Sequence, residues 1–391
     1  MSAPRRKGSA MNGRERVLAA MRRRPVDYVP CVPLVNPLTA AQRRGHPWNF
    51  PWAEPGDGLE YLATEMGTDP VVGLWWMGGL SPDPGVTSRV WRDGDALHKS
   101  FTTPAGELHA SVAVDEHWPF GDDIPFFHDF AGHYREVWVK TQRDVDCLRH
   151  IFQPPLHRDE LDALRAEFDR GRATAERLGL ATMATVGSGL TGALWMFGAE
   201  RLCLLTVDDP GLVESYLEVE HRWNLAVLDL VLDWGVDIVR RNGFYESADF
   251  YGPAMLERFL GRPLRAEIAA VHQAGRPVAY TMYSGIMPIL DYLAGFEFDC
   301  ISALDIAFDE PDLKRIAAKL PGMSFWTGPS NTFHMYGTPA VVRTAVRDVF
   351  EAFGPTGLLL AAASSIHPMM PWENTLAMLD EWKKLRGGVA A

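Results

Sequence analysis

Four short apolar runs dominate the last third of the chain, at residues 278–284, 300–305, 324–328 and 358–367, and each stops at polar residues. Segments of helical length separate them, among them 311–320 and 339–353. Near-continuous apolar strands alternating with amphipathic helices predict a parallel sheet covered by helices. The same alternation runs back through the chain. Asn12, with Glu15 three residues on, opens a helix that Pro25 stops. Residues 28–36 read as the first strand, and 70–76, 180–188 and 236–242 as the next three. Helices are expected over 58–66, 158–178, 192–197, 210–234 and 253–274, the last closed by Gly275. Eight strands separated mostly by helices predict a single α/β domain, a (β/α)8 TIM barrel, over residues 11–391. A doubly wound open sheet is the competing architecture. It ranks lower because no Gly-x-Gly-x-x-Gly follows the first strand.

The pattern changes between about residues 86 and 139. β-branched and aromatic residues there alternate with turn signals at Asp93-Gly94 and Ala105-Gly106. These are hairpin signals, so an antiparallel strand insertion is expected after the second strand. Residues 1–10 read as a disordered tail.

Composition narrows the function classes. The net charge of −12 argues against nucleic-acid and anionic-membrane partners, which require a basic surface. No apolar run approaches the roughly 18 residues of a membrane span. Four widely spaced cysteines without a Cys-x-x-Cys pair suit a reducing, cytoplasmic setting. The expected partner is a small-molecule substrate.

Several stretches resemble one family. Asn12-Gly-Arg-Glu-Arg-Val-Leu-Ala-Ala-Met21, followed by Pro25-Val-Asp-Tyr-Val-Pro30, is similar to the opening of the uroporphyrinogen decarboxylase and corrinoid methyltransferase (methionine-synthase-like) superfamily. Thr103-Pro-Ala-Gly-Glu-Leu108, Val137-Trp-Val-Lys-Thr141 and Asp144-Val-Asp-Cys-Leu148 resemble the strand insertion of its methyltransferase-like branch. Pro371-Trp-Glu-Asn-Thr-Leu-Ala-Met378 is similar to the family's closing turn and helix. The resemblance implies a (β/α)8 barrel, often a homodimer, that carries out methyl transfer or demethylation with a corrinoid protein or a thiol as methyl partner. The family's zinc methyltransferases place a His-x-Cys after the fifth strand and a Cys after the eighth. The matching positions here are Met282, Ser284 and Ser364, so no zinc is expected there. The decarboxylases' arginine-rich loop is replaced by residues 36–46, which hold Arg43 and Arg44.

A barrel gathers its strand exits at one mouth. The catalytic candidates there are His367 and His334 for acid–base work, Tyr283 as a proton donor, and Arg241 as an anion anchor. Asn36, Trp75, Trp76, Ser188, Asn242, Glu246, Ser284, Asp305, Asn331 and Ser364 are the substrate-binding candidates. Each has a plainer reading. Both histidines suit hydrogen-bonded loops, Arg241 suits an ion pair with Asp305, and Glu246 with Asp249 suits a helix start. His109, His117, His128 and His133 are expected on the insertion's surface. Two further functions stay open beside methyl transfer: a decarboxylase or lyase run by His and Arg residues, and an inactive ligand-binding barrel.

Overall fold

The computed structural model describes residues 10–35, 47–52, 57–76, 80–116, 118–128, 131–155 and 157–387; Asn36, His117 and the side chain of Trp76 lie outside this set. In chain order the strands are β1 (Val72–Trp76), β2 (Thr87–Asp93), β3 (Ala96–Thr103), β4 (Gly106–Ala113), β5 (Tyr134–Glu136), β6 (Thr182–Val186), β7 (Ile238–Asn242), β8 (Val278–Thr281), β9 (Cys300–Asp305), β10 (Ser324–Gly328) and β11 (Leu358–Leu360). β1 and β6 to β11 form one seven-stranded sheet in that order, parallel throughout. The two-residue turns after Asp93 and Thr103 fold β2 to β5 into the separate antiparallel sheet expected from the sequence.

The parallel sheet curls. Val17, Ala20 and Met21 of helix Gly13–Met21 pack on its concave face against Val32, Met183, Ile238, Ala279, Cys300, Trp326 and Leu359. The Trp326 indole N–H donates to the carbonyl of Val32 (2.9 Å) across that face. Fully burying an aliphatic side chain stabilises by roughly 1.5–3 kcal/mol, so this plug fixes the floor of the concavity. Asn12 starts the plugging helix with a capping box: its side chain accepts the Glu15 N–H (2.9 Å), and Glu15 accepts the Asn12 N–H (3.2 Å). The convex face lies under helices such as Arg158–Leu178, Pro210–Asp233 and Arg262–Gln273.

The expected first strand is only partly realised. Within it, Cys31 and Val35 make isolated parallel bridges to Leu360 and Ile366. Pro30 and Pro33 have no N–H to give a ladder, which explains the interruption. Even so, the segment touches both ends of the sheet. Val32 N–H donates to Leu360 O (2.7 Å), and Asp69 N–H, just before β1, donates to Cys31 O (2.7 Å). The insertion also departs from expectation at His128. That ring is buried, stacked on Tyr134 (5.1 Å) and edge-on to Trp118 (5.4 Å), rather than on the surface. Among the described residues no single helix is long and apolar enough to cross a membrane.

Candidate functional site

β7 carries two adjacent arginines, and strand alternation sends them to opposite faces. Arg240 lies two residues beyond Ile238, which belongs to the concave plug. Its Nε–H donates to the Thr185 hydroxyl (3.0 Å), its register partner on β6. Thr281 and Ser302 continue this level, two residues above Ala279 and Cys300, with their hydroxyls 3.1 Å apart. Asn242 is the next concave position on β7. A polar layer of Thr185, Arg240, Asn242, Thr281 and Ser302 therefore sits directly on an apolar floor. Arg240 is 9% exposed, and burial lowers its pKa to about 10. Gly73, opposite Met183 on β1, is solvent-exposed, so the concavity is open at this height.

Arg241 turns to the helices instead. Its Nε–H donates to Glu267 (2.8 Å), Nη2 approaches Glu246 (3.4 Å), and Nη1 donates to the Asn242 carbonyl. Asp305, the partner expected from the sequence, is not in this cluster. Glu246 also accepts the Tyr280 hydroxyl (2.6 Å) and the Leu190 N–H (2.9 Å). His221 contacts the other Glu267 oxygen (3.0 Å). Burial opposes the charge on Arg241, but the fields of Glu246, Glu267 and Glu220 outweigh it and raise its pKa. Burial likewise raises Glu220 and Glu246, whereas Arg241 and His221 overcome burial at Glu267 and lower it.

Three further expected site residues also belong to the helix side. Ser188 donates through N–H (2.6 Å) and hydroxyl (3.2 Å) to Glu220 on helix Pro210–Asp233. Glu246 is fully buried beside Arg241. Trp75 packs edge-on against Trp234 (6.3 Å), because a register shift between Gly73 and Trp75 aligns it with the convex Ala184.

The exit loops of β7 to β10 gather the other candidates at a rim. The Ser284 hydroxyl donates to Asp249 (2.6 Å), and Gly285 N–H donates to Asp309 (3.0 Å). The Tyr283 hydroxyl bonds Asn331 (3.1 Å) and Thr332 (2.7 Å). Asp305 is fully buried. It accepts the N–H groups of Ala307 (2.8 Å) and Phe308 (3.1 Å) and the Ser330 hydroxyl (2.6 Å), so it anchors loops rather than substrate. A bulge in β9 aims it there: the register shifts between Trp326 and Gly328, and Ala303 adopts a left-handed φ of 66°. This lacing presents a chain of aromatic rings: Phe244, Tyr283, Phe308 and Phe333, with successive centroids 6.1, 6.0 and 6.3 Å apart.

Both candidate histidines stand at strand exits. His334 Nδ1 accepts the Ser330 N–H (3.0 Å), which leaves the proton of the neutral ring on Nε2. Burial, opposed by Asp305 and Asp348, lowers its pKa. Ile366 and its bridge partner Val35 both pack with the convex cluster, so alternation turns His367 to the concave side. Its Nδ1 is buried without a hydrogen-bond partner among the described residues, and burial lowers its pKa. Ser364 stands half-buried three residues earlier.

The family's zinc does not fit these residues. Met282 is buried in the convex cluster, and the Ser284 hydroxyl is held by Asp249. Among the described residues no group of three or more His, Cys, Asp and Glu is arranged to hold a metal ion. Cys300 sits in the floor, its thiol pushed up to about 12 by burial.

Sequence reasoning missed Arg240, Thr185, Thr281 and Ser302. The adjacent arginines were the available signal, but a strand buried on both faces does not reveal which of two neighbours faces inward.

The fold is similar to that of a methyltransferase from Methanosarcina mazei: TM-score 0.59, 16% identity, covering 96% of this chain and 99% of that one. A B12-independent methionine synthase from a Shewanella species is similar at TM-score 0.41 and 12% identity, covering 92% of this chain and 96% of that one. No curated protein matches the sequence. The family model described as uroporphyrinogen decarboxylase (URO-D) matches residues 139–385, well over half of the chain. The protein therefore belongs to the uroporphyrinogen decarboxylase family.

Proposed function

We propose that the protein is an enzyme that holds a small carboxylate in the concavity and carries out lyase-type acid–base chemistry on it. In this reading residues 30–35 complete a (β/α)8 barrel, and the concavity is the barrel lumen. The observation that carries the reading is Arg240. A buried guanidinium in a layer of hydroxyls, above an apolar floor, suits a bidentate carboxylate ligand.

The rim supplies groups for proton transfer. A neutral His367 takes a proton from a substrate carbon. The electron pair left behind expels a leaving group. Tyr283 O–H or His334 Nε2–H then protonates that group. Burial raises the Tyr283 pKa, which keeps its proton in place at neutral pH.

Methyl transfer or demethylation is the second reading. It is supported by the fold likeness to a methyltransferase over nearly the whole chain. The methyl acceptor would then be a separate partner, a corrinoid protein or a thiol.

A turnover screen of small carboxylic acids separates the two, with mass spectrometry of the products and with a thiol or reduced corrinoid present or absent. Elimination without an acceptor is expected. Acceptor-dependent loss of a methyl group would install the second reading. Turnover undiminished in Arg240→Met would defeat both.

A further inference from the structure

We propose that the substrate is a planar aromatic ring bearing a carboxylate, with the carboxylate on Arg240 and the ring against Phe244, Tyr283, Phe308 and Phe333. This rests on the reading of Arg240 as an anion anchor. The rings are not core. Phe308 is 53% and Phe333 is 51% exposed, although both are large and apolar. Exposed, contiguous aromatic surface marks a place where something binds.

The rings stand above the anchor in register. Asn242 pairs with Thr281 across β7 and β8, and Phe244 and Tyr283 each lie two residues further on. Arg240 lies on β7 two residues before its last residue, Asn242, and Phe244 stands in the turn that follows the strand. The rings are also pre-positioned. Asp305 fixes the backbone of Phe308, Ser330 accepts the N–H of Phe333 (3.1 Å), and Asn331 and Thr332 hold the Tyr283 hydroxyl. A fixed aromatic edge favours a flat π-face over a puckered ring of equal size.

The test is calorimetric titration of the full chain with 2-naphthoate, phenylacetate and cyclohexanecarboxylate. Both aromatic acids should bind more tightly than the saturated one, by about 2- to 12-fold for each protein ring that the ligand ring meets. Phe308→Leu combined with Phe333→Leu should cut that preference by the share of those two rings, leaving the part due to Phe244 and Tyr283, with cyclohexanecarboxylate binding in place. Arg240→Met should abolish binding of all three. Equal affinities for all three acids, with Arg240→Met still abolishing binding, would overturn the ring assignment and spare the anchor. Binding indifferent to Arg240→Met, or no binding of any acid, would overturn both. A changed oligomeric state in the double variant, with acid selectivity untouched, would assign the rings to a protein partner and overturn the proposal.

Discussion

Arg241 Nε–H donates to Glu267 at 2.8 Å on the helix side of β7, and Arg240, one residue earlier, bonds Thr185 on the opposite face. Two adjacent, chemically identical side chains therefore have different work. Arg241 neutralises Glu246 and Glu267 between sheet and helices, whereas Arg240 faces the concavity.

Arg241→Met strips the shared cation from buried carboxylates, and breaking such a pair typically costs about 3–5 kcal/mol. A urea titration followed by circular dichroism should show a loss of this size. A variant within about 0.5 kcal/mol of wild type, the range of an ordinary surface substitution, would mean the carboxylates find other partners.

Arg240→Met exchanges a desolvated cation for an apolar side chain of similar length. The variant loses the hydrogen bond to Thr185 (3.0 Å), so some stability should go, but less than in Arg241→Met, which leaves buried carboxylates without their cation. Carboxylate binding should nevertheless vanish. A destabilisation matching that of Arg241→Met would make Arg240 structural and remove it from the site.

The difference between these two residues explains how much was legible. The helix starts at Asn12 and Pro210, the hairpin turns after Asp93 and Thr103, and the sequential order of the seven parallel strands lie where the pattern puts them, whereas the first expected strand is only partly realised. The facing of β7 does not follow from the pattern, because helices cover one side and the plug covers the other, so both faces are apolar below the arginines. A one-residue error in facing exchanges Arg240 for Arg241. Ser188 and Glu246 were misplaced for a related reason: polar residues at strand exits serve the buried ion cluster as readily as a ligand. Tyr283, Asn331 and His334 were legible because loops beyond β8 and β10 have one place to go, the rim.

His367 should titrate below the ordinary imidazole value of about 6.5, because burial disfavours its charged form. Histidine ring signals followed by NMR against pH, with His367→Gln to assign the resonance, test this. A midpoint at or above 6.5 would show a nearby anion and remove the ring from the role of neutral base.

His128 makes the insertion acid-sensitive. Burial, helped by the charge of His133, lowers its pKa from 6.5 to about 4. A base whose folded pKa is depressed contributes stability that is complete above the unfolded value and lost as pH falls through the folded one. The window is therefore pH 6.5 down to about 4. The full loss is on the order of 3 kcal/mol at roughly 1.4 kcal/mol per unit. His128→Phe keeps a ring but gives up the contact to the Tyr134 hydroxyl (3.0 Å). It should be weaker by about 1 kcal/mol at pH 7.5, the net worth of one hydrogen bond. It should also lose less stability than wild type on acidification. Parallel urea midpoints of the two proteins at pH 7.5 and 4.5 would rule the mechanism out.

Ala303 stores strain for the sake of Asp305. Its φ of 66° is left-handed, which costs an L-residue roughly 1–2 kcal/mol. The bulge it makes lets Asp305 face the rim, where it holds loop 306–308 and Ser330. Glycine adopts this conformation without a steric penalty but loses more chain entropy on folding, by roughly 0.5–1 kcal/mol. Ala303→Gly should therefore stabilise by up to about 1.5 kcal/mol, the difference between these two effects. Ala303→Val adds a β-branched side chain where left-handed backbone is most disfavoured, and should destabilise by more than glycine gains. If the bulge also sets the rim, the valine variant should weaken carboxylate binding along with stability, while the glycine variant leaves binding unchanged. Thermal melts combined with acid titration decide it. A glycine variant less stable than wild type would show that the left-handed turn is held by contacts stronger than its strain, and Asp305 would then owe its position to packing rather than to the bulge.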